Sequence, residues 1–374
     1  MVNLVVDCLR SRTSLDQLKG VWKTLERVDS LCTPFSSWVW ADSWWREFAL
    51  NGDKLRILIV KNGQEVVGIC PLYCQTTRHY RVLSVTTLTL LGAVPGIRPA
   101  HPGVIAHSGF RELSEIAIME HLPRLKGWDT LDLDGIDVDS SFAILARKRL
   151  KRPRGVVAEE AIKEIDQESL LCTWSEYCAR GDGQRALELT RLRKTVTAAV
   201  CCPEPDQGIG TGTFKGTYEL SICSTRQDLN KSQNVFYSLN QWVAGKGENS
   251  KSNAAAQERF YKSIVPEFFV ANMLWQLTLK IDGQIVGVQH YFIWRGDLLL
   301  FQGAYAPELE RLDVAKLMLA YAIKRGIGQV FKCVRVHSLP ADFTHSFVSE
   351  YMFVSHLRFT PSAGCRIVDK LLKT

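Results

Sequence analysis

The sequence lacks the compact signatures that announce a chemistry. Its eleven cysteines contain no CxxC pair, and the tightest groups, Cys201–Cys202, Cys70–Cys74 and Cys172–Cys178, have no histidines at matching spacing. A zinc finger or ribbon needs two close ligand pairs to complete one tetrahedron, so no metal is expected. An odd number of scattered thiols reads as small buried hydrophobes in a reducing compartment. There is no HExxH, no GxSxG and no GxxxxGK[ST], which argues against a helix-borne zinc protease site, a hydrolase elbow and a P-loop. GIGTG at 208–212 is glycine-rich, but it precedes a strand-like segment rather than a helix, so it reads as a connector. No apolar run reaches the roughly 18 uncharged residues of a membrane helix. The N-terminal stretch lacks a basic segment followed by a long apolar core, so no signal peptide is expected. A cytoplasmic protein without a membrane span is the expectation.

What is present is an ordinary globular composition: 374 residues, 46% apolar and 23% charged, which excludes disordered, collagen-like and coiled-coil classes. At roughly 100–200 residues per domain the length fits two or three compact units. The net charge of +7 is mild and uneven. Six of the eight residues from Arg147 to Arg154 are basic, and Arg185, Arg191, Arg193 and Lys194 form a second cluster on a helix beginning near Gly183. Such runs are ordinarily solvated faces; the alternative is a site for phosphates of a cofactor or of tRNA.

The chain also resembles itself. LRILIV (55–60), a turn at Asn62-Gly63-Gln64 and the strand EVVGICPLY are matched in the second half by LWQLTLK (274–280), Asp282-Gly283-Gln284 and IVGVQHYFIW. Each hairpin is followed by a third strand (86–92 and 297–305), a helix (near 110–121 and 312–325) and a further strand (128–134 and 329–336). Lys324 and Arg325 sit in the last turn of the second helix, with Gly326 as its expected stop. Trp40, Trp44 and Phe48 recur at helical spacing and read as core packing over the first sheet. The segment 246–257 is small and polar and reads as a loop. The pattern predicts an α+β chain with two similar halves: residues 1–140, a helical, basic connector at 141–270, and residues 271–374.

PFSSWVWADSWWREF, LRILIV, NGQEVVGICPLY and GWDTLDLDGIDVDS resemble the first half of the CelD-like branch of the GNAT acyltransferase superfamily, which is related to the FemAB peptidyltransferases. RALELTRLRKTV, the stretch around Gln241–Gly247 and DGQIVGVQHYFIW with LLLFQGAYAPEL are similar to its second half. The resemblance implies tandem GNAT-like domains of mixed, mostly antiparallel sheet flanked by helices. It also implies an N-acyltransferase that moves an acyl group from acyl-CoA or an acyl-carrier protein to the amine of a small-molecule or biosynthetic acceptor. The donor arm would lie where strands 297–305 and 329–336 part, with its diphosphate at Ala306–Lys316. Arg311, Lys316 and Gln302 are the candidate donor contacts. The family's glycine-rich phosphate motif is absent, since no glycine occurs between Gly303 and Gly326.

Amine acylation needs a base for the attacking ammonium and an acid for the leaving thiolate. His337 and His345, with Asp342 between them to orient either ring, are the candidates for the first task, and Tyr305 for the second. Arg98, His101, Trp242, Lys246 and His290 are candidate acceptor contacts. Two alternatives remain open at this level. The basic clusters suit a FemAB-type, aminoacyl-tRNA-dependent amide-forming transferase. The missing glycines suit a non-catalytic, GNAT-shaped binding protein.

Overall fold

The computed structural model describes residues 4–79, 83–93, 103–150, 155–181, 183–201, 217–244, 248–337 and 350–361. The chain is α+β and divides into two compact units, one made of Met1–Glu164 with Met352–Thr374, the other of Ile165–Tyr351. Residues 141–270 are thus shared between the units, and the chain's last described strand belongs to the first of them.

The first unit begins with β1 (Leu4–Leu9), α1 (Arg12–Gln17), α2 (Lys19–Val28), α3 (Trp38–Phe48), β2 (Lys54–Leu55), β3 (Ile57–Asn62) and β4 (Glu65–Cys70). It continues through β5 (Leu72–His79), β6 (Leu83–Leu90), β7 (Ile105–Ala106), α4 (Arg111–His121), β8 (Thr130–Asp137) and α5 (Ser141–Leu150). The second unit takes the end of β9 (Gly155–Ser169), then α6 (Trp174–Ala179), α7 (Gln184–Cys201), β10 (Tyr218–Ile222), α8 (Arg226–Ala244) and α9 (Glu248–Val270). It is completed by β11 (Leu274–Ile281), β12 (Gln284–Trp294), β13 (Asp297–Tyr305), α10 (Val314–Gly328) and β14 (Cys333–His337), after which β15 (Glu350–Pro361) begins.

In the first unit β1, β3, β4 and β7 form one antiparallel sheet. The chain then leaves it at Pro71, which has no N–H to give a ladder, and β5 pairs instead with β2 and β6. β6 runs parallel to β8, and β15 returns antiparallel to β8. Of the three α3 residues expected in the core, Trp40 and Trp44 are buried and Phe48 is half-buried, while Trp38, one face away, is buried as well; the Trp40 ring N–H donates to the Gly92 carbonyl at 2.9 Å. On β8, Asp132 accepts from His356 Nε2 at 2.6 Å and from Arg358 at 3.1 Å, both on β15.

The second unit is one sheet in the order β10-β11-β12-β13-β14-β9, antiparallel except for β13 against β14. Adjacent residues of β12 point to opposite faces. Gln289 reaches the Ala315 carbonyl of α10, and His290 reaches Gln233 of α8, so the two helices cover opposite sides of the sheet. Gly326 lies inside α10 rather than ending it. A Cβ there would meet Leu170 at 2.9 Å, so the residue serves close packing, and the helix runs one turn further than its glycine suggested. The small polar stretch expected as a loop is helical from Glu248 onward, because its alanines, glutamine and glutamate are good helix formers.

The repeat is visible in the strand register. In the first hairpin Lys61 faces Val66 and Val60 faces Gly68, so Val67 is the extra residue of a bulge. In the second, Lys280 faces Ile285 and Leu279 faces Gly287, which makes Val286 the extra residue. Each glycine sits under a helix: a Cβ on Gly68 would meet Ser114 of α4 at 2.8 Å, and one on Gly287 would meet Met318 of α10 at 3.1 Å. The hairpin turns differ. Asp282 and Gly283 both have positive φ, 50° and 78°, whereas in the first hairpin Gly63 has φ 61° and Asn62 remains in the strand. The two halves are therefore aligned one residue away from the Gly-Gln match.

One buried ion cluster ties α7 to the sheet. The carboxylate of Glu168, on β9, takes both ends of the Arg185 guanidinium at 2.8 and 3.0 Å, and Arg180 joins it. Arg185 also lies over the Tyr177 ring at 4.5 Å. Breaking a buried pair from one side leaves the other charge stranded, so Glu168→Ala should destabilise the protein by about 3–5 kcal/mol, read from urea unfolding followed by near-ultraviolet circular dichroism. An unchanged midpoint would contradict that arrangement.

The Asp132–His356 pair predicts a pH dependence. The Asp132 bond raises the His356 pKa above its ordinary 6.5, so the His356 contribution to stability is complete below pH 6.5 and fades as pH rises through the folded value. Burial opposes ionisation of Asp132, and the bonds from His356 and Arg358 overcome it, so its contribution fades as pH falls below 3.8. Against His356→Gln, the stability advantage of the wild type should shrink above neutrality; a constant difference up to pH 9 would refute the pairing.

Candidate active site at the separation of two strands

β13 is shared by neighbours that lead it in different directions. It pairs with β14 only from Asp297 to Leu300, against Cys333 to Val336. Beyond that, β14 stays with β9, where His337 still faces Ile165, while β13 stays with β12 as far as Tyr305 opposite Gly287. The turning point is a bulge. His290 faces Gln302 and Tyr291 faces Leu300, leaving Phe301 as the extra residue on β13. A bulge bends its strand and increases its twist, and here it coincides with the end of the parallel ladder. Past Leu300, the β14-facing edge of β13 has no strand partner among the described residues.

On the α10 side of the sheet, Gln289 organises the residues next to this edge. Its side-chain amide N–H donates to the Tyr305 hydroxyl at 2.7 Å and to the Ala315 carbonyl at 3.0 Å, while its oxygen accepts from the Tyr291 hydroxyl at 2.5 Å. Burial pushes the Tyr305 phenol up, so it keeps its proton at neutral pH. The phenol folds back over its own strand, and a Cβ on Gly303 would lie 2.2 Å from its oxygen. Glycine at 303 is therefore required for this pose.

The start of α10 carries charge. Asp313 adopts a left-handed conformation, φ 51°, and its carboxylate is bound by Arg191 of α7 at 2.8 Å and by Lys316 at 3.4 Å. Partial burial works against ionisation, but those two cations hold the Asp313 carboxyl below the usual range. Arg191 is also bound to Glu188 through two 2.7 Å contacts. The ammonium of Lys316, expected as a phosphate contact, is thus paired within the protein.

The opposite face of the same strands carries a row of polar side chains. Gln276, His290 and Gln302 face one another across β11, β12 and β13. The Gln276 amide donates to Ser232 at 2.6 Å, and the Gln233 amide donates to the Tyr237 hydroxyl at 2.7 Å. Gln233 Oε1 is left to accept, so the His290 Nε2 at 3.2 Å carries the ring proton and Nδ1 is an acceptor. His290 is fully buried against Phe236, and burial lowers its pKa to about 3. It is neutral and a weak base. Among the described residues Gln276 Oε1 and His290 Nδ1 have no hydrogen-bond partner, which leaves two acceptors side by side, and the Gln302 side chain lies beside the Tyr261 hydroxyl.

Of the residues singled out in the sequence, His290 and Gln302 face each other on the α8 side of β12 and β13, whereas Tyr305 lies on the opposite, α10 side, with Lys316 on the helix that follows. His337 is the last residue of β14, Arg311 lies in the 3-10 turn Pro307–Leu312, and Trp242 is near the end of α8. Arg98, His101, Lys246, Asp342 and His345 lie outside the described residues. Gln289, Tyr291, Gly303 and the Asp313–Arg191 pair were not anticipated. The one readable signal was a lone glycine inside a strand two residues before a tyrosine. Among the described residues no group of histidine, cysteine, aspartate and glutamate is placed to hold a metal ion, and no helix is long and apolar enough to cross a membrane.

A parallel β-α-β crossover entered from an antiparallel meander, with the two strands parting beside the helix start, is the arrangement of a GNAT-type fold. Residues 213–344 match the acetyltransferase (GNAT) domain family, and the second unit carries that domain. Solved structures extend the likeness to nearly the whole chain. The structure of L-PGS from Bacillus licheniformis has a TM-score of 0.52 at 10% identity, over 97% of this chain and 95% of that one. The crystal structure of FemX has a TM-score of 0.51 at 8% identity, over 92% and 96%. A conserved protein of unknown function from Bacteroides thetaiotaomicron has a TM-score of 0.51 at 10% identity, over 95% and 100%. At these identities the likeness is one of fold. No curated protein matches the chain by sequence.

Gly303→Ala should expel the Tyr305 phenol from its bond to Gln289. The cost is the lost hydrogen bond, about 1 kcal/mol, plus the strain of relocating the ring. Tyr305→Phe should cost only the first part. Chemical denaturation of the two variants checks this; equal stability of Gly303→Ala and wild type would show that the ring does not need the glycine.

Proposed function

We propose that the second unit transfers an acyl group from a thioester, acyl-CoA or an acyl-carrier protein, to an amine. The observation that carries this reading is the parting of β13 from β14 at the Phe301 bulge. It leaves a strand edge without a strand partner among the described residues, on which an amide-bearing arm can lie in extended form, with the reactive carbonyl among main-chain donors. The amine nitrogen attacks the thioester carbon, the C–S bond breaks, the thiolate takes up a proton and the new amide nitrogen releases one. Tyr305, held protonated beside that edge, is assigned to the thiolate. His337, the first residue of β14 beyond its last pairing with β13, is assigned to the amine proton, with Asp342 and His345 as its supports. Gln302 and Arg311 stand as donor contacts, and Arg98, His101, Trp242 and Lys246 as acceptor contacts.

A second reading rests on the start of α10. A carboxylate at Asp313, already bound by Arg191 and Lys316, occupies the place where a donor's diphosphate would meet helix N–H groups. That charge favours a donor whose acyl group is carried without a diphosphate there, such as the ester of an aminoacyl-tRNA.

Thermal unfolding with acetyl-CoA, an acyl-carrier-protein thioester and charged tRNA separates the readings. A donor present at a hundred times its dissociation constant should stabilise the protein by about 2.7 kcal/mol. His337→Ala should then lower turnover with that donor by roughly a hundredfold without changing the melting temperature. A shift with tRNA alone would select the second reading, and no shift with any of the three would overturn acyl transfer.

A further inference from the structure

We infer that the second unit has a separate nucleotide-binding groove, built on the C-terminal half of α10 and independent of the strand separation. A cavity of about 650 Å³ lies between α6, α7, β10 and α10. None of Gln289, Tyr305, Asp313 and Lys316 lines it.

Its lining is cationic without compensation. Arg193 of α7 and Lys324 and Arg325 of α10 border it, and among the described residues no aspartate or glutamate does. This resolves the basic cluster on α7 into two kinds of residue. Arg185 is bound to Glu168 and Arg191 to Glu188 and Asp313, so both are structural. Arg193 has no carboxylate partner among the described residues, and neither have the two cations of α10. Lys324 and Arg325 favour the C-terminal end of their helix, but that leaves Arg193, one helix away, unexplained. Three cations bordering one concavity give it a positive potential that favours an anion.

The walls specify more than an anion. Trp174, Tyr218 and Tyr321 line the same space with half-buried side chains, over an apolar floor that includes the buried Leu189 and Leu317, and the Trp174 ring is itself stacked on Tyr177 with centroids 5.4 Å apart. The Lys324 ammonium lies 5.6 Å from the centre of the Trp174 ring. Tyrosine rings beside cations that have no carboxylate partner among the described residues are a combination that holds a flat base together with its phosphate. The volume is within the range of sites for molecules of nucleotide size. The ligand is therefore a nucleotide unit, either free or part of a single-stranded polynucleotide.

Calorimetric titration of the full chain tests this with AMP, adenosine, inorganic phosphate, and a single-stranded oligoadenylate. AMP should bind saturably, and adenosine and phosphate should each bind at least about tenfold more weakly, because each lacks one half of the recognised group. Arg193→Ala/Lys324→Ala, both exposed positions, should weaken AMP about tenfold or more with an unchanged melting temperature, and Trp174→Leu should act in the same direction. An oligoadenylate that binds more tightly than AMP, with a steeper salt dependence, identifies the polynucleotide as the source; equal affinities identify the free nucleotide. No saturable binding of AMP or oligoadenylate up to millimolar concentration would overturn the groove. So would undiminished binding in a correctly folded double variant. Acetyl-CoA itself contains a nucleotide, so its thermal shift is measured in the same double variant. A retained shift with lost AMP binding keeps the two sites separate, and joint loss would show that the groove is part of the donor site.

Discussion

The second unit depends on one strand that cannot stay with both of its neighbours. β13 begins in register with β12 and β14, and at Phe301 it takes an extra residue against β12 and gives up β14. β14 is held on its other side by β9, so it cannot follow. A bulge raises the local twist of its strand, and past it the β14-facing edge of β13 has no strand partner among the described residues. Such edges invite aggregation when left exposed in a monomer, which makes a long-lived one a place to look for a ligand. Gln289, Tyr305 and Gly303 fit this account as the parts that keep the α10 side of the edge ordered while the ladder is missing.

The two units show how one local design is used with different outcomes. Both place an extra valine and then a glycine in the second strand of their first hairpin, and both set that glycine beneath a helix. Both also follow with a parallel pair joined through a helix, β6 with β8 and β13 with β14. They differ after the glycine. In the first unit Pro71 breaks the strand and sends β5 to other partners, whereas β12 runs unbroken through Gln289, His290 and Tyr291. The polar residues of β12 are consequently on a continuous central strand. Burial there is deep enough to keep His290 neutral, which makes it a hydrogen-bonding group and a poor base.

Much of this order was legible in the sequence. Alternating strands, the Asp-Gly turn and the helix signals placed hairpin, strand, helix and strand in both halves, because each is a local property of a dozen residues. The aromatic spacing on α3 points to the core for Trp40 and Trp44, while Phe48 at the helix end is half-buried and Trp38 is buried outside that stripe. The misreadings have physical causes. Gly326 looked like a helix stop because glycine is common there, but packing against Leu170 explains it. The Gly-Gln match misaligned the halves because register is fixed by bulges and burial rather than by turn letters. The basic residues of α7 looked equivalent, yet Arg185 lies over a tyrosine and inside an ion cluster while Arg193 borders a cavity. The return of the final strand to pair with β8 is a long-range contact with no local signature. Tyr305 and Gln302 were singled out from their strand alone; the amide of Gln289 that fixes the tyrosine was visible only once β12 and β13 were paired.

The central claim is that the gap between β13 and β14 is where the acyl donor lies. A crystal structure of the chain with bound acetyl-CoA tests it directly. The account predicts an extended donor arm between the strands beyond Leu300 and Val336, with the carbonyl near Tyr305 and the main chain of β13. A structure in which the donor lies elsewhere, or in which β13 and β14 pair continuously past Phe301, would contradict it.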